Sequence, residues 1–252
     1  MRALVLSDIH ANLEGFEAVL AAAAEQGYEE VWNLGDVVGY GASPNEVIDR
    51  LRPLGQTHVR GNHDRVCCGL SSVANFNPIA SRAALWTQAH LTEEHLAWLR
   101  ALAQGPVMPD GPMVSCVHGS PLHEDEYVVG LREAREPLLQ SPTCLTFFGH
   151  THVQGCFAGN GKKWFEPKLK FRGKDKAEAA ELKIEEGTRY LINPGSVGQP
   201  RDHDWRAAFA IYDDAARTVV FHRVPYDLRA CQQRILEAGL PERLASRLKE
   251  GR

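Results

Sequence analysis

Asp8 and His10 follow the short apolar run Ala3-Leu4-Val5-Leu6 near the start of the chain. The run is too short for a helix and reads as a buried first strand. In an extended chain, residues i and i+2 point to the same side, so the carboxylate and the imidazole are expected to converge on one point past the strand end. That is where open α/β sheets place their ligands, and a carboxylate with an imidazole can ligate a metal. The punctuation recurs. Gly35-Asp36-Val37-Val38-Gly39, Gly61-Asn62-His63-Asp64, His118-Gly119 and Gly149-His150-Thr151-His152 each close a β-patterned run. One such group is an ordinary turn; five of the eleven histidines placed this way are not a scatter. A donor set of Asp, His and Asn without thiolate suits Mn, Fe or Zn. Seven residues supply eight contacts if one carboxylate bridges, and Asp36, isolated between backbone turns, is the natural bridge. Cations sharing it would lie ~3.5–4 Å apart, as in two-metal phosphoryl-transfer sites.

The elements that must carry these residues are readable in order. A helix follows His10, with Asn12 as N-cap and Gly27 as its stop. A strand over 30–34 comes next, then a helix opened by Ser43-Pro44-Asn45-Glu46, with Ser as cap and Pro at the first position. A third strand spans 57–60. This βαβαβ opening predicts a mainly parallel sheet. Residues 66–105 read as a helical cap beside the site, with His90 and His95 as solvated or capping residues. Strands are predicted over 113–117 and 144–148, with Cys116 and Cys144 buried in them, and a helix over 133–140 between them. Asn160-Gly161 marks a hairpin turn. The lysine-rich stretch inside 159–186 reads as a solvated hairpin or loop insertion. A strand over 190–192, a hairpin from 207–212 and 219–224, and helices from Asp227 and Pro241 complete the chain. No repeat or linker divides it, so one domain over 1–252 is expected.

The whole chain narrows the options. With 252 residues, 44% hydrophobic and 24% charged, it has the composition of a globular protein, and no apolar run approaches a membrane span. A net charge of -4 argues against a sequence-blind nucleic-acid binder. Six cysteines without CxxC spacing predict free thiols and a cytoplasmic protein. No leader pattern is expected at Met1-Arg2.

Taken in order, these five motifs over residues 8–152 resemble the calcineurin-like metallophosphoesterase superfamily. Asn193-Pro194-Gly195-Ser196-Val197-Gly198 resembles its small bacterial phosphodiesterase branch. The resemblance implies an α/β (α+β) fold, a four-layer two-sheet β-sandwich flanked by helices, around two divalent ions, Mn first and Fe or Zn as alternatives. It places one ion on Asp8, His10, Asp36 and His152, the other on Asp36, Asn62, His118 and His150. A hydroxide between them would attack phosphorus in line. His63 would protonate the leaving oxygen or stabilise the transition state. Asp64 either orients His63 or caps the following turn. Arg60 matches the family's protein-phosphatase pattern as a phosphate contact; Arg201 ranks behind it, with a surface salt bridge as its other and preferred reading. Where the protein phosphatases carry an Asp and an Arg after the second motif, this chain has Gly39 and Tyr40, which argues against a phosphoprotein substrate.

The expected activity is therefore hydrolysis of small phosphate esters or nucleotides, diesters favoured. A dinucleoside-polyphosphate hydrolase would use the same centre plus a base-binding surface, for which Phe76, Trp86 and Trp98 are candidates. A protein phosphatase ranks behind both. Outside catalysis, a metal-binding scaffold subunit is the alternative, although such members of the family typically lose ligands. Oligomeric state is left open, with a homo-oligomer among the options.

Overall fold

The computed structural model describes residues 1–55, 57–109 and 113–252. Along the chain, β1 (Arg2–Leu6) leads to α1 (Leu13–Gln26), β2 (Glu30–Asn33), α2 (Pro44–Leu51), β3 (Thr57–His58) and α3 (Asn62–Cys67). Helices α4 (Pro78–His90) and α5 (Glu93–Ala101) follow, then β4 (Val114–Cys116), α6 (Leu131–Gln140) and β5 (Leu145–Phe147). The hairpin β6 (Gly155–Gly159) and β7 (Trp164–Phe165) precedes β8 (Glu178–Lys183) and β9 (Arg189–Asn193). Strands β10 (Ala207–Asp213) and β11 (Thr218–Val224) and helices α7 (Leu228–Glu237) and α8 (Glu242–Leu248) end the chain.

The strands form two mixed sheets, ordered β3-β2-β1-β10-β11-β8 and β4-β5-β9-β6-β7. As the βαβαβ pattern predicts, β1, β2 and β3 run parallel. Strands β4, β5 and β9 are also parallel. Period-two alternation builds the layers. Leu4 and Leu6 of β1 join Phe16 and Val19 of α1 in a core under the helices. Ala3 and Val5, on the other face, join Phe147 and Ile192 of the second sheet. Trp32, fully buried, fills the space between the sheets against Phe147 and Tyr212. A third core, with Ala134 and Leu138 of α6 on Phe148 and Leu191, covers the second sheet's outer face. Helix, sheet, sheet, helix is the order of layers.

Several local expectations change. Ser43 precedes α2 at the cap position, but its hydroxyl makes no capping bond; Pro44 alone marks the start. His95 is not solvated: its ring is buried, with Nδ1 2.7 Å from Asn45 Oδ1 and Nε2 2.9 Å from Asp49 Oδ1, tying α5 to α2. Cys144 is exposed, because β5 begins one residue after it; Cys116 is buried as expected. Strand β8 lies where a solvated hairpin or loop was expected; it is instead a strand of the first sheet. Its sequence, EAAELK, is made of helix formers, yet pairing with β11 places it on the sheet edge. Tertiary context outweighs propensity there. The Asn160-Gly161 turn does form a hairpin, between β6 and β7.

Candidate metal centre

The candidate ligands sit on turns that leave the C-terminal ends of parallel strands of both sheets. Asp8 and His10 follow β1, Asp36 follows β2, and Asn62 and His63 open α3 after β3. His118 follows β4, and His150 and His152 follow β5. Convergence does not come from extended strands, as the i, i+2 argument supposed. Asp8, His10, Asp36, His150 and His152 all have positive φ, between 49° and 66°. This left-handed region is sparsely used by residues other than glycine and costs of order 1–3 kcal/mol each. Tight turns therefore aim the side chains, and surrounding contacts hold the turns. Close approach requires glycine at two neighbours: a Cβ on Gly61 would overlap the Asp36 carboxylate, and one on Gly149 would overlap Ser7.

Two clusters result, Asp8-His10-Asp36-His152 and Asp36-His118-His150, each with its ligating atoms within 4.8 Å of one another. Asp36 belongs to both. Its Oδ2 is 3.5 Å from His10 Nε2 and 3.5 Å from His118 Nε2. His152 Nε2 is 3.3 Å from Asp8 Oδ1. Asn62 Oδ1 lies 3.2 Å from His118 Nε2, joining the second cluster.

The tautomers follow from the outer contacts. A carbonyl only accepts, so His10 Nδ1–H donates to Val38 O (3.1 Å), His118 Nδ1–H to Leu34 O (2.9 Å) and His152 Nδ1–H to Gln199 O (2.6 Å). Each Nε2 then presents a lone pair inward, the usual arrangement of a metal-bound imidazole. His10 Nε2 faces His152 Nε2 at 3.2 Å, and His118 Nε2 faces His150 Nδ1 at 3.1 Å. Lone pairs at that separation repel unless a proton or a cation lies between them. Asp8 Oδ1 is buried without a hydrogen bond. These donors fit divalent cations.

The protonation equilibria carry the same message. Burial pushes the Asp8 carboxyl up to about 7. Burial alone would raise Asp36 as well, but the surrounding His118, His63 and His10 rings hold it well below the usual range. Burial would depress His118, yet Asp36 and Asp8 outweigh it and lift the ring to about 10. Burial and the charge of His118 drive His150 down to about 3. Without a cation, the buried carboxylates draw a proton onto one imidazole.

The remaining predicted residues divide. His63 is buried in a ring of aromatics, its centroid 4.3 Å from Tyr40, 4.5 Å from Phe76 and 4.9 Å from His10. Its backbone N–H donates to Asp36 Oδ1 (2.8 Å). Burial lowers its pKa to about 4. Asp64 takes the capping alternative: its carboxylate accepts from the N–H groups of Val38 (3.1 Å) and Gly61 (3.0 Å), bracing two ligand turns instead of bonding the His63 ring. Arg60 pairs with Glu124 (3.2 Å), which also holds Arg65 (2.6 Å). Arg201 does reach the site. Its guanidinium lies over the Tyr40 ring at 5.8 Å and bonds Gln199 Oε1 (3.1 Å), while its Nε is buried without a partner. Its charge helps depress His10, His63, His150 and His152. Of the three proposed base-stacking aromatics only Phe76 adjoins the centre; Trp86 stacks on His90, and Trp98 meets His58 edge to face.

Sequence reasoning missed the work of residues 193–198. Ser196 Oγ donates to Asp8 O (2.8 Å), and Asn193 Nδ2 donates to Gly149 O (2.9 Å) and Thr151 Oγ1 (3.0 Å). This loop clasps the β1 and β5 ligand turns together. It also missed Tyr127, whose ring lies 3.9 Å from that of His150.

With this geometry in place, the class is defined: residues 1–215 match the calcineurin-like phosphoesterase superfamily domain, and the chain belongs to that family. It is similar to a metallophosphoesterase of Sphaerobacter thermophilus of known crystal structure, with 40% identity, TM-score 0.83 and both chains covered in full. It is also 34% identical to the uncharacterized protein MJ0912 of Methanocaldococcus jannaschii, covering 98% of this chain and 97% of that one. The hypothetical protein PH1004 of Pyrococcus horikoshii shares the fold, at 21% identity and TM-score 0.79, over 100% of this chain and 98% of that one. Among the described residues no helix is long and apolar enough to cross a membrane.

Proposed function

We propose that the chain hydrolyses small phosphate esters at a pair of divalent cations, with phosphodiesters preferred and Mn²⁺ the first choice of metal. The observation that supports this most is the sharing of Asp36 by two inward-facing donor clusters. Asp8, His10, Asp36 and His152 would hold one cation, and Asp36, Asn62, His118 and His150 the other. Such cations supply Lewis acidity toward phosphoryl oxygens and lower the pKa of water. The chain's own groups do the rest. His63, packed on His10 and Tyr40, gives a hydrogen bond to the departing oxygen. Arg201, its Nε without a partner, offsets charge on the phosphate. Gly39 and Tyr40 stand where relatives acting on phosphoproteins carry a charged pair. With one cationic side chain fewer, the site suits a singly charged diester better than a doubly charged monoester.

The test is hydrolysis of bis(p-nitrophenyl) phosphate and p-nitrophenyl phosphate by metal-stripped protein refilled with Mn²⁺, beside Asp36→Asn. Expected are restored turnover, faster on the diester, and a fall of ~10²-fold or more in Asp36→Asn together with reduced metal content. A metal-loaded protein inactive on both esters would remove the enzymatic reading; faster monoester turnover would remove the diester preference.

A further inference from the structure

The loop between β4 and α6 brings an exposed aromatic residue to the metal centre and fixes it there. Tyr127 is 51% exposed, although its ring lies against His150 at 3.9 Å and 33°. One face of the phenol therefore covers a candidate ligand, and much of the rest is open to solvent. The loop is held firmly. Glu124 bonds Arg60 and Arg65, and Asp125 bonds Arg65 at 2.6 Å. Ser120 and Glu126 are hydrogen-bonded across it. Both arginines flank the turn that carries Asn62 and His63. The Arg60 predicted to touch phosphate instead fastens this loop to the ligand-bearing helix.

More exposed apolar surface borders the β5 ligand turn. Val129, two residues on, and Val153, directly after His152, are both exposed and line one cavity beside Thr151. Exposed apolar side chains thus border the β5 turn that supplies His150 and His152. Leaving an aromatic ring and two valines in water forgoes the stabilisation that burying them would give. A clamped aromatic ring at the mouth of a polar, metal-competent site is the usual means of holding a planar group by stacking.

We propose that Tyr127 forms a stacking subsite for a planar aromatic ring carried by the substrate, so that the preferred diesters are those of nucleosides or aryl alcohols rather than alkyl alcohols. This rests on the phosphoesterase reading and names its substrate class. Tyr127 acts on specificity; His63 and the candidate ligands act on the bond.

Three diesters that share one ethyl group and differ in the other isolate the effect: diethyl phosphate (the ethyl ester), ethyl phenyl phosphate (the phenyl ester) and thymidine 5′-(ethyl phosphate) (the thymidine ester), each with the Mn²⁺-loaded protein. The phenyl and thymidine esters are expected to show KM about tenfold below the ethyl ester, the size of one stacking contact. Tyr127→Leu should bring the three KM values together, with kcat for all three moving in parallel, and Tyr127→Phe should restore the spread. Equal KM values in the wild type, or a spread that survives Tyr127→Leu, overturn the subsite. A low KM for phenyl without thymidine assigns it to aryl esters; the reverse assigns it to nucleosides. Should none of the esters turn over, the phosphoesterase reading fails by itself. Calorimetry of thymidine 5′-monophosphate against ethyl phosphate, on wild type and Tyr127→Leu, then still decides the subsite.

Discussion

His222 shows how far a single side chain departs from what its type suggests. It lies on β11, stacked on Phe209 with ring centroids 4.6 Å apart and planes within 5°. Its Nε2 is buried without a hydrogen bond, and burial lowers the pKa to about 4. The unfolded chain takes up this proton near pH 6.5, so between about 6.5 and 4 the unfolded state binds more protons than the folded one. Stability from His222 is complete above that window and declines as pH falls through it. The expected loss is about 2 kcal/mol between pH 7 and pH 5. Urea denaturation at the two pH values checks it: His222→Phe should lose about that much less than wild type, and parallel losses would show that the ring titrates normally. The candidate ligands, by contrast, were legible as residues, because Asp, Asn and His directly after apolar runs beside glycine form a repeated pattern. Arg201 and Tyr127 carried no such signal. A lone arginine in a loop and an aromatic in a polar segment look alike whether they face a site or solvent. Asp64 was ambiguous for the same reason, since a carboxylate after a turn can serve the backbone or a side chain.

At the scale of elements, the parallel strands with their connecting helices were readable from periodicity and caps. Asn12 accepts from Gly15 N–H (2.9 Å), and Asp227 from Ala230 N–H (3.0 Å), as their positions predict. What failed was the edge of the sheet. Ala180-Glu181-Leu182-Lys183 alternates apolar with polar, but over only four residues and in helix-forming types, and β11 beside it makes a strand of it. The helical segment over 66–105 was also legible as helix, but its packing was not. Leu91, Leu96 and Leu99 join the core under the first sheet, leaving Phe76 as the part that meets His63. The 193–198 loop was visible as a motif while its task was hidden, because clasping two turns is a property of contacts distant in sequence. Ser196 is fully buried; it donates to Asp8 O and accepts from Gln199 N–H, both at 2.8 Å. Replacing it by alanine leaves the Gln199 N–H without that acceptor, and Ser196→Ala is expected to cost about 1–3 kcal/mol. Urea denaturation of the metal-free protein reads this directly, and an unchanged midpoint would mean that the turns are held from elsewhere.

For the whole molecule, the arrangement of layers follows from alternation along β1, but the partnership of the two sheets at the site does not. Each donor cluster draws on both. Asp8, His10 and Asp36 come from the first sheet and His152 from the second; Asp36 and Asn62 face His118 and His150 in the same way. A cation seated in either cluster is therefore a staple across the sandwich, closing a seam that the apolar core closes elsewhere. Binding only to the folded chain, a metal present at a thousand times its dissociation constant adds about 4 kcal/mol to stability. For a chain of this length that corresponds to a rise in Tm on the order of 10 °C. Scanning calorimetry with and without a chelator measures it, and coincident transitions would show that the seam holds without the ion. If the staple acts, metal starvation does more than silence the site. It shortens the survival of the protein itself, so that the amount of folded chain in a cell follows the supply of the ion.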